Sequence, residues 1–480
     1  MELDFTDLAL LIGTNPLPNY IASKYFIEEN KHLKKIWLVC SEENLNINQN
    51  STGKYALNLK ELLSKEEAPP DYINDTQKIE FPEIIYIEDI GSKKMIEKQL
   101  EKIVKDSNNR KLHLFFTGGS KAMSAYSYSY LKEKFKNKFS ASYLSARDFK
   151  IMFDDEDNIT KNIADKIKIN FNDLIKLHGF EKRDTKKQND ISIEFEKFID
   201  KIIEKFRIII KNEKLDEFYS NSGGYNRNIF KPDDDDNDKI MEKIFSSITK
   251  EDSNILKAAT SDKCLEEEEN KIKTDDDKLK FNKKVNIFKK ILSYNPNETF
   301  MEVIGSFPED YKIYRYNNSN RPNFQTKIGY EKYKKAVDFL DGLWLEQYVG
   351  KIIKKYFEND FDEILFNQKP YRNSDDPSNN FELDVVLIKG CQLIGISCTT
   401  AECKDLCKKK GFEIILRTRQ IGGTETKAIL ITGADEKIVE KLKTELVLET
   451  GTVKTNITVI GKNGWEESKL KEKIKEFILN

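Results

Sequence analysis

Two α/β units joined by a charged, mainly helical connector are what this 480-residue chain predicts. Three observations carry that expectation. Short apolar runs alternate with helically spaced stretches through the first third. Charge dominates the middle. The last third reads helix, hairpin, helix, strand, helix, strand. The expected boundaries are 1–165, 166–325 and 326–480, ordinary sizes for separately cored units.

In the first unit the apolar runs Leu8–Ile12, Ile36–Cys40, Ile84–Ile87 and Leu112–Phe116 read as strands. Between them lie an amphipathic stretch, Tyr20–Asn30, and the helical patterns Met95–Val104 and Lys121–Phe135. Such alternation builds a parallel sheet covered on both faces. From Glu181 to Asn297 the chain carries the acidic runs Asp233–Asp236, Glu266–Glu269 and Asp275–Asp277, with helical stretches at Ile191–Lys211 and Ile240–Ile248. Consecutive aspartates cannot all face one ion, and no calcium loop with its central glycine is present. In the last unit Lys332–Tyr356 has helical spacing. Leu383–Ile388 and Gln392–Cys398 form a hairpin about Lys389-Gly390-Cys391. A helix over Glu402–Ile421 stops at Gly422-Gly423, and strands Ala428–Thr432 and Thr455–Ile460 flank a helix at Glu436–Leu446.

Composition narrows the function classes. Basic residues number 80 and acidic residues 82, so any surface for nucleic acid must be local. No stretch has the length of a membrane span, and no basic-then-apolar leader opens the chain, so the expected location is cytoplasmic, away from membranes. Six cysteines in such a length make no disulfide framework. Cys391, Cys398, Cys403 and Cys407 lie close together, but their spacing lacks paired zinc knuckles, and they read as buried small apolar residues. Cys398 should point away from Ser397 and Thr399. His32, His113 and His178 are scattered, and His113 reads as structural.

Two strand ends carry small and polar residues: Gly13-Thr14-Asn15-Pro16 and Thr117-Gly118-Gly119-Ser120-Lys121. Ligands of open parallel sheets bind beyond the carboxyl ends of strands, where glycines let backbone amides approach a phosphate. Either loop alone is equally an ordinary strand-to-helix turn. Two at one sheet edge point to a phosphate-bearing ligand. Neither is a Walker loop or a dinucleotide fingerprint.

The segments "LLIGTNPLPNYIASKYF", "KKIWLVCSEEN" and "LFFTGGSKAMS" resemble the CRISPR-associated Rossmann-fold (CARF) domain over about the first third of the chain, with Ser120 where threonine is commoner. The resemblance implies a Rossmann-like sensing domain and a cyclic oligoadenylate ligand, with the four-membered ring, cyclic tetra-adenylate, favoured. It also implies a homodimer binding that symmetric ring across its twofold axis. Carried over, the contacts are Gly13, Thr14, Asn15, Pro16, Thr117, Gly118, Gly119, Ser120, Lys121 and Met123, with Ser41 as a further candidate.

"DGLWLEQYV", "NFELDVVLIKGCQLIGISCTT" and "GFEIILRTRQIGG" resemble the PD-(D/E)xK nuclease domain of CARF-linked nucleases, implying a restriction-endonuclease-like α/β fold, Mn2+ or Mg2+, and a nucleic-acid substrate. Glu346 matches the helix glutamate and Asp384 the hairpin aspartate. Where Glu-x-Lys is expected, the chain has Ser397-Cys398-Thr399. Ser397 and Thr399 share a strand face and form hydrogen bonds, but supply no carboxylate or ammonium. On the following helix Leu406, Lys410, Glu413, Arg417 and Gln420 form one stripe. Glu413 is therefore the candidate for the missing carboxylate, joining Asp384 as a metal ligand, and Lys410, then Lys408, for the displaced lysine. Taken singly, Asp384 is equally a hairpin-start residue, and Glu346 and Glu413 solvated helix residues. Lys404, Lys408, Lys409, Lys410, Arg417 and Arg419 make this helix locally basic, as contact with phosphate requires.

The expected activity is thus a cyclic-oligoadenylate-activated, metal-dependent nuclease of type III CRISPR antiviral defence, cutting DNA and/or RNA. A second reading is a ligand-binding regulator whose nuclease-like domain is degenerate. A third, degradation of the ligand by the N-terminal unit, lacks a general base there.

Overall fold

The computed structural model describes residues 3–66, 79–107, 110–145, 147–154, 159–182, 193–231, 262–325, 328–372 and 381–479, with residues 242, 245, 255, 258 and 259 between them. The acidic run Asp233–Asp236 and most of Ile240–Ile248 lie outside the described residues.

The first unit is a six-stranded sheet of order β3-β2-β1-β4-β5-β6. Its strands are β1 (Asp7–Leu11), β2 (Lys35–Ser41), β3 (Ile85–Ile87), β4 (Leu112–Phe115), β5 (Phe139–Ser145) and β6 (Lys150–Phe153). β1 pairs in parallel with both β2 and β4, so the strand order reverses at β1. Only β6 returns antiparallel. Every residue of β1 and β2 is buried, because helices cover both faces. α1 (Leu17–Glu29) and α2 (Gly53–Leu63) cover one face, and α3 (Lys93–Asp106) and α4 (Lys121–Phe135) the other. The expected amphipathic helix is corrected here. α1 begins earlier, after Pro16, and buries Asn19 and Ser23 beside Tyr20, Ile21 and Phe26, since it is sandwiched between the sheet and neighbouring helices.

The middle of the chain does more than connect. It comprises α5 (Phe171–Leu177), the short strand β7 (Glu181–Lys182), α6 (Ile193–Lys211), α7 (Leu215–Phe218), α8 (Arg227–Phe230), α9 (Asp262–Glu269), α10 (Asp275–Ser293) and α11 (Glu298–Gly305). Strands β8 (Tyr314–Tyr316) and β9 (Pro322–Phe324) form a small ribbon, and α12 (Tyr330–Asp338) follows. Most charges of these helices lie outward, but Glu268 is buried and pairs with Lys271 at 2.6 Å. The apolar stripes converge with the second sheet on one core, where Phe206 stacks on Trp344 at a centroid separation of 3.9 Å.

A π-helical turn (Phe339–Leu343) leads into α13 (Trp344–Phe357). The second sheet has order β10-β12-β13-β14-β15. It is built from β10 (Glu363–Gln368), β12 (Leu383–Lys389), β13 (Gln392–Thr399), β14 (Lys427–Thr432) and β15 (Ile457–Ile460), while β11 (Pro370–Tyr371) pairs with β7. β10, β12 and β13 are antiparallel neighbours, and β13, β14 and β15 run parallel. α14 (Lys404–Gly422) and α15 (Glu436–Thr450) cover one face. α13 and α16 (Glu467–Leu479) cover the other.

The units are in contact. The β12–β13 turn presses on the first unit: Ile169 N–H donates to the Gly390 carbonyl at 3.2 Å, and a Cβ on Gly390 (φ +55°) would lie 2.1 Å from the Ala164 carbonyl oxygen. No described helix is long and apolar enough to cross a membrane.

Candidate functional site

The loops after β1 and β4 meet where the strand order reverses, the crevice in which open α/β sheets bind ligands. Their glycines are required by contact. A Cβ on Gly13 would sit 2.9 Å from the Gly119 nitrogen, and one on Gly118 only 2.0 Å from the Leu11 carbonyl oxygen. Asn19, one turn into α1, braces the pair: its amide donates to the Leu11 carbonyl at 3.0 Å, and its own oxygen is buried with no partner in the structure. The Thr117 hydroxyl accepts from the Leu144 amide at 2.7 Å. Asn15 Oδ1 caps Leu17 N–H at 3.2 Å and lies 3.3 Å from His178 Nε2.

A cleft of about 290 Å³ opens here. Gly13, Thr14, Asn15, Thr117, Gly118 and Gly119 line it from the first unit. Its far wall comes from the second: the β12–β13 turn, through Gln392, and Gly422 to Glu425 after α14. The other expected contacts are placed differently. Ser120 caps α4, accepting from Met123 N–H at 3.1 Å, and Lys121 is exposed at that helix start. Met123 is buried beneath Gly119 (φ +79°), and Pro16 is buried at the start of α1. Ser41 is turned away, its hydroxyl donating to the Asn50 carbonyl at 2.7 Å and lying 3.1 Å from Thr52 Oγ1.

The second cluster lies where β12 begins. Asp384 and Ser397 share the face beneath α14. Asp384 Oδ2 accepts from Cys398 N–H at 2.6 Å and from the Ser397 hydroxyl at 3.2 Å. Burial, then the charges of Asp384 and Glu382, hold the Glu346 carboxyl well above the usual range, and Lys410 and Lys369 oppose the shift. Burial likewise pushes Asp384 up to about 6, against the pull of the Cys398 amide. Asp384 is buried and Glu346 half-buried, and the Lys410 charge acts on both. The π-helical turn ahead of Glu346 is pinned by the Thr400 hydroxyl, which donates to the Asp341 carbonyl at 2.5 Å. Thr399 Oγ1 accepts from Ala401 N–H at 3.2 Å and closes the strand end.

Glu413 pairs with Lys410 at 3.5 Å, on the stripe that also carries Arg417. Among the described residues no group of three or more Asp, Glu, His or Cys side chains gathers to hold a metal. Lys408 is corrected: it points to α15, 3.0 Å from Glu445 and 2.7 Å from Glu449, two positions round the helix from Lys410. Lys404 also pairs with Glu445, so these two lysines are neutralised; Lys410 is paired with Glu413, and Arg419 donates to the Thr450 carbonyl at 3.1 Å. Cys391, Cys398 and Cys407 are buried, but Cys403 is exposed at the start of α14, outside the core expected for it.

The raised pKa values have a signed consequence. The folded chain keeps the Asp384 proton between about pH 4 and pH 6, where the unfolded chain has lost it. The penalty for ionising this group in the fold is absent at low pH and complete above about pH 6. Asp384→Asn therefore stabilises metal-free protein at pH 8 by up to about 3 kcal/mol and at pH 4 by nothing. Denaturant titrations at both values test this, and an equal gain at each would refute it.

The fold and these two sites define a Rossmann-like unit joined to a mixed α/β unit that carries the carboxylates Glu346 and Asp384. Among solved structures the chain is similar to Can2 from Sulfobacillus thermosulfidooxidans, in complex with cyclic tetra-adenylate (12% identity, TM-score 0.55, covering 98% of this chain and 99% of that one). It is similar to protein VC1899 from Vibrio cholerae as well (13% identity, TM-score 0.54, 98% of each chain). At such identity the likeness establishes the fold, over nearly the whole length. No family model and no curated protein matches the chain.

Sequence reasoning misses Asn19, Gln392, Thr424 and Glu425. Asn19 alone leaves a local trace, a polar residue amid the apolar positions of α1. The other three acquire their place only through contact between the units.

Proposed function

We propose that this chain is a homodimeric nuclease of type III CRISPR antiviral defence, switched on by a cyclic oligoadenylate, cyclic tetra-adenylate first, and cutting DNA and/or RNA with Mn2+ or Mg2+. One observation carries the reading: α14 ends in the wall of the glycine-loop cleft and carries Lys410, whose charge acts on both Glu346 and Asp384. The shared fold with Can2, solved with cyclic tetra-adenylate, supports the choice of ligand.

Asp384 and Glu346 are the two carboxylates a divalent cation would use, with no third Asp, Glu, His or Cys gathered beside them among the described residues. Desolvation and the neighbouring Asp384 charge favour the protonated Glu346 carboxyl, and hard ions take such oxygen donors once they are ionised. Asp384 and Glu346 would hold the cation, while Glu413 is paired with Lys410 on α14. Such an ion, when bound, would supply Lewis-acid chemistry for phosphodiester hydrolysis. Ser397 and the Cys398 amide fix the Asp384 carboxylate through one oxygen. Lys410 sets a positive charge beside the place where a phosphodiester would accumulate negative charge.

The test is cleavage of labelled single- and double-stranded DNA and RNA with Mn2+ or Mg2+, with and without cyclic tetra- or hexa-adenylate. Cleavage that requires both ligand and metal supports the proposal. Ligand binding with no cleavage of any substrate would instead make the chain a regulator with a degenerate nuclease-like unit.

A further inference from the structure

Two arginines stand on a pair of packed aromatic rings. Phe180, just before β7, and Phe381, three residues ahead of Asp384, are both buried and meet edge to face at a centroid separation of 5.4 Å. The Arg372 guanidinium lies 4.9 Å from the centre of the Phe180 ring, and the Arg417 guanidinium 4.8 Å from that of Phe381. Three separate segments meet to make this stack. The pairing of β11 with β7 brings Arg372, the residue after β11, to Phe180. Arg417 lies seven residues beyond Lys410 on α14, which is two turns, on the same stripe and about 10 Å along the axis. An aromatic face holds a guanidinium by its flat side and leaves the N–H edge to other acceptors. Arg417 donates one N–H to Gln420 Oε1 at 3.0 Å, while its Nε is buried with no partner in the structure. Arg372 is exposed. The nearby carboxylates are taken by lysines: Glu413 by Lys410 at 3.5 Å and Glu382 by Lys369 at 3.1 Å. Neither arginine forms an ion pair with a carboxylate of the described residues.

We propose that Arg372 and Arg417 form a clamp for the phosphodiester backbone of the nucleic-acid strand that is cut. The inference rests on the reading of Glu346 and Asp384 as a nuclease site, and deepens it by giving the strand a course. The strand runs from Lys410 along the α14 stripe to Arg417, and across the Phe381–Phe180 pair to Arg372. A guanidinium fork already held on a ring matches phosphate oxygens two at a time, with little further ordering. Over the about 10 Å between Lys410 and Arg417 a strand presents about three phosphates. Such contacts position a strand and carry no sequence information, so the clamp holds unrelated sequences alike. A cyclic oligoadenylate also carries phosphodiesters. The substrate strand is favoured because Lys410, on the same stripe, sets its charge toward Glu346 and Asp384.

Fluorescence anisotropy of labelled single-stranded DNA and RNA tests the clamp, with the full chain, saturating cyclic tetra-adenylate and no divalent metal, so that nothing is cut. Affinity is followed across a salt series. Arg372→Gln and Arg417→Gln should each lower the slope of log affinity against log salt by about 0.7, the share of one phosphate contact on a single strand. The loss should be alike for unrelated sequences. Arg417→Lys keeps the charge and should recover the slope. Arg372 is exposed, so its variant reports on the strand without disturbing the core. Stacked arginines with a purely structural role leave the slope unmoved, so variants with the wild-type slope would overturn the clamp alone. Calorimetric titration with cyclic tetra-adenylate should give wild-type affinity for both variants. A loss of about tenfold or more there, with the strand slope intact, would assign the two arginines to the activator and overturn the clamp. A wild-type chain that binds no strand would overturn both the clamp and the nuclease reading beneath it.

Discussion

Asp384→Asn should lower the proposed ligand-activated, metal-dependent cleavage by on the order of 10²–10³-fold, the loss typical when a single group organising developing charge is removed. Glu346→Gln should do the same. The fold survives both changes. Asparagine keeps an oxygen for the Cys398 amide and the Ser397 hydroxyl, and each substitution removes a charge that burial and its neighbour penalise. The two variants should therefore be stable and inactive at once, the pattern of a site whose electrostatics are strained for function. Cyclic tetra-adenylate should bind both as it binds wild type. Single-turnover cleavage beside calorimetry measures the pair of outcomes. Full activity in either variant would remove that carboxylate from the proposed chemistry.

Gly118→Ala has the largest expected effect on the ligand cleft. The new methyl would be 2.0 Å from the Leu11 carbonyl oxygen and 2.9 Å from Asn19 Oδ1. Neither can retreat cheaply. Leu11 ends a strand paired on both sides, and Asn19 is fully buried. The loops would have to part, costing about 3 kcal/mol or more, at the upper end for overpacking. Thermal unfolding should fall by several degrees, and cyclic tetra-adenylate affinity should drop well beyond tenfold. Gly305→Ala is the control: no atom approaches a Cβ there within 4 Å, and alanine favours the helix. If Gly118→Ala melts and binds like that control, the two loops do not form one tight edge.

Much of this architecture is legible because strands and phosphate loops announce themselves locally. Leu112–Phe115 followed by Thr117-Gly118-Gly119-Ser120 is a buried run ending in small residues, and the chain folds it so. The missed edge strand β10 has the opposite character. Glu363-Ile364-Leu365-Phe366-Asn367-Gln368 is half-buried almost throughout, so it shows neither clean alternation nor a buried run. Lys408 and Lys410 are alike in sequence. What separates them is Glu445 and Glu449, on a helix about forty residues further along. Gly422-Gly423 reads correctly as a helix stop, yet its second role depends on Asn15, some four hundred residues away. Local rules recover what local forces decide, and the meeting of the two units is not among these.

α14 is one unbroken helix of 19 residues, about 28 Å long, packed closely enough that a Cβ on Gly411 would meet Leu446 at 2.6 Å. One rod therefore runs from the glycine-loop cleft, which on the proposed reading takes the activator, to Lys410, whose charge acts on Glu346 and Asp384. Binding free energies linked through a common element are reciprocal. Whatever the activator does for substrate affinity, metal and nucleic acid must do for the activator. In the proposed reading an enzyme loaded with substrate would release its messenger slowly, so the alarm would outlast a falling messenger concentration for as long as there was nucleic acid left to cut.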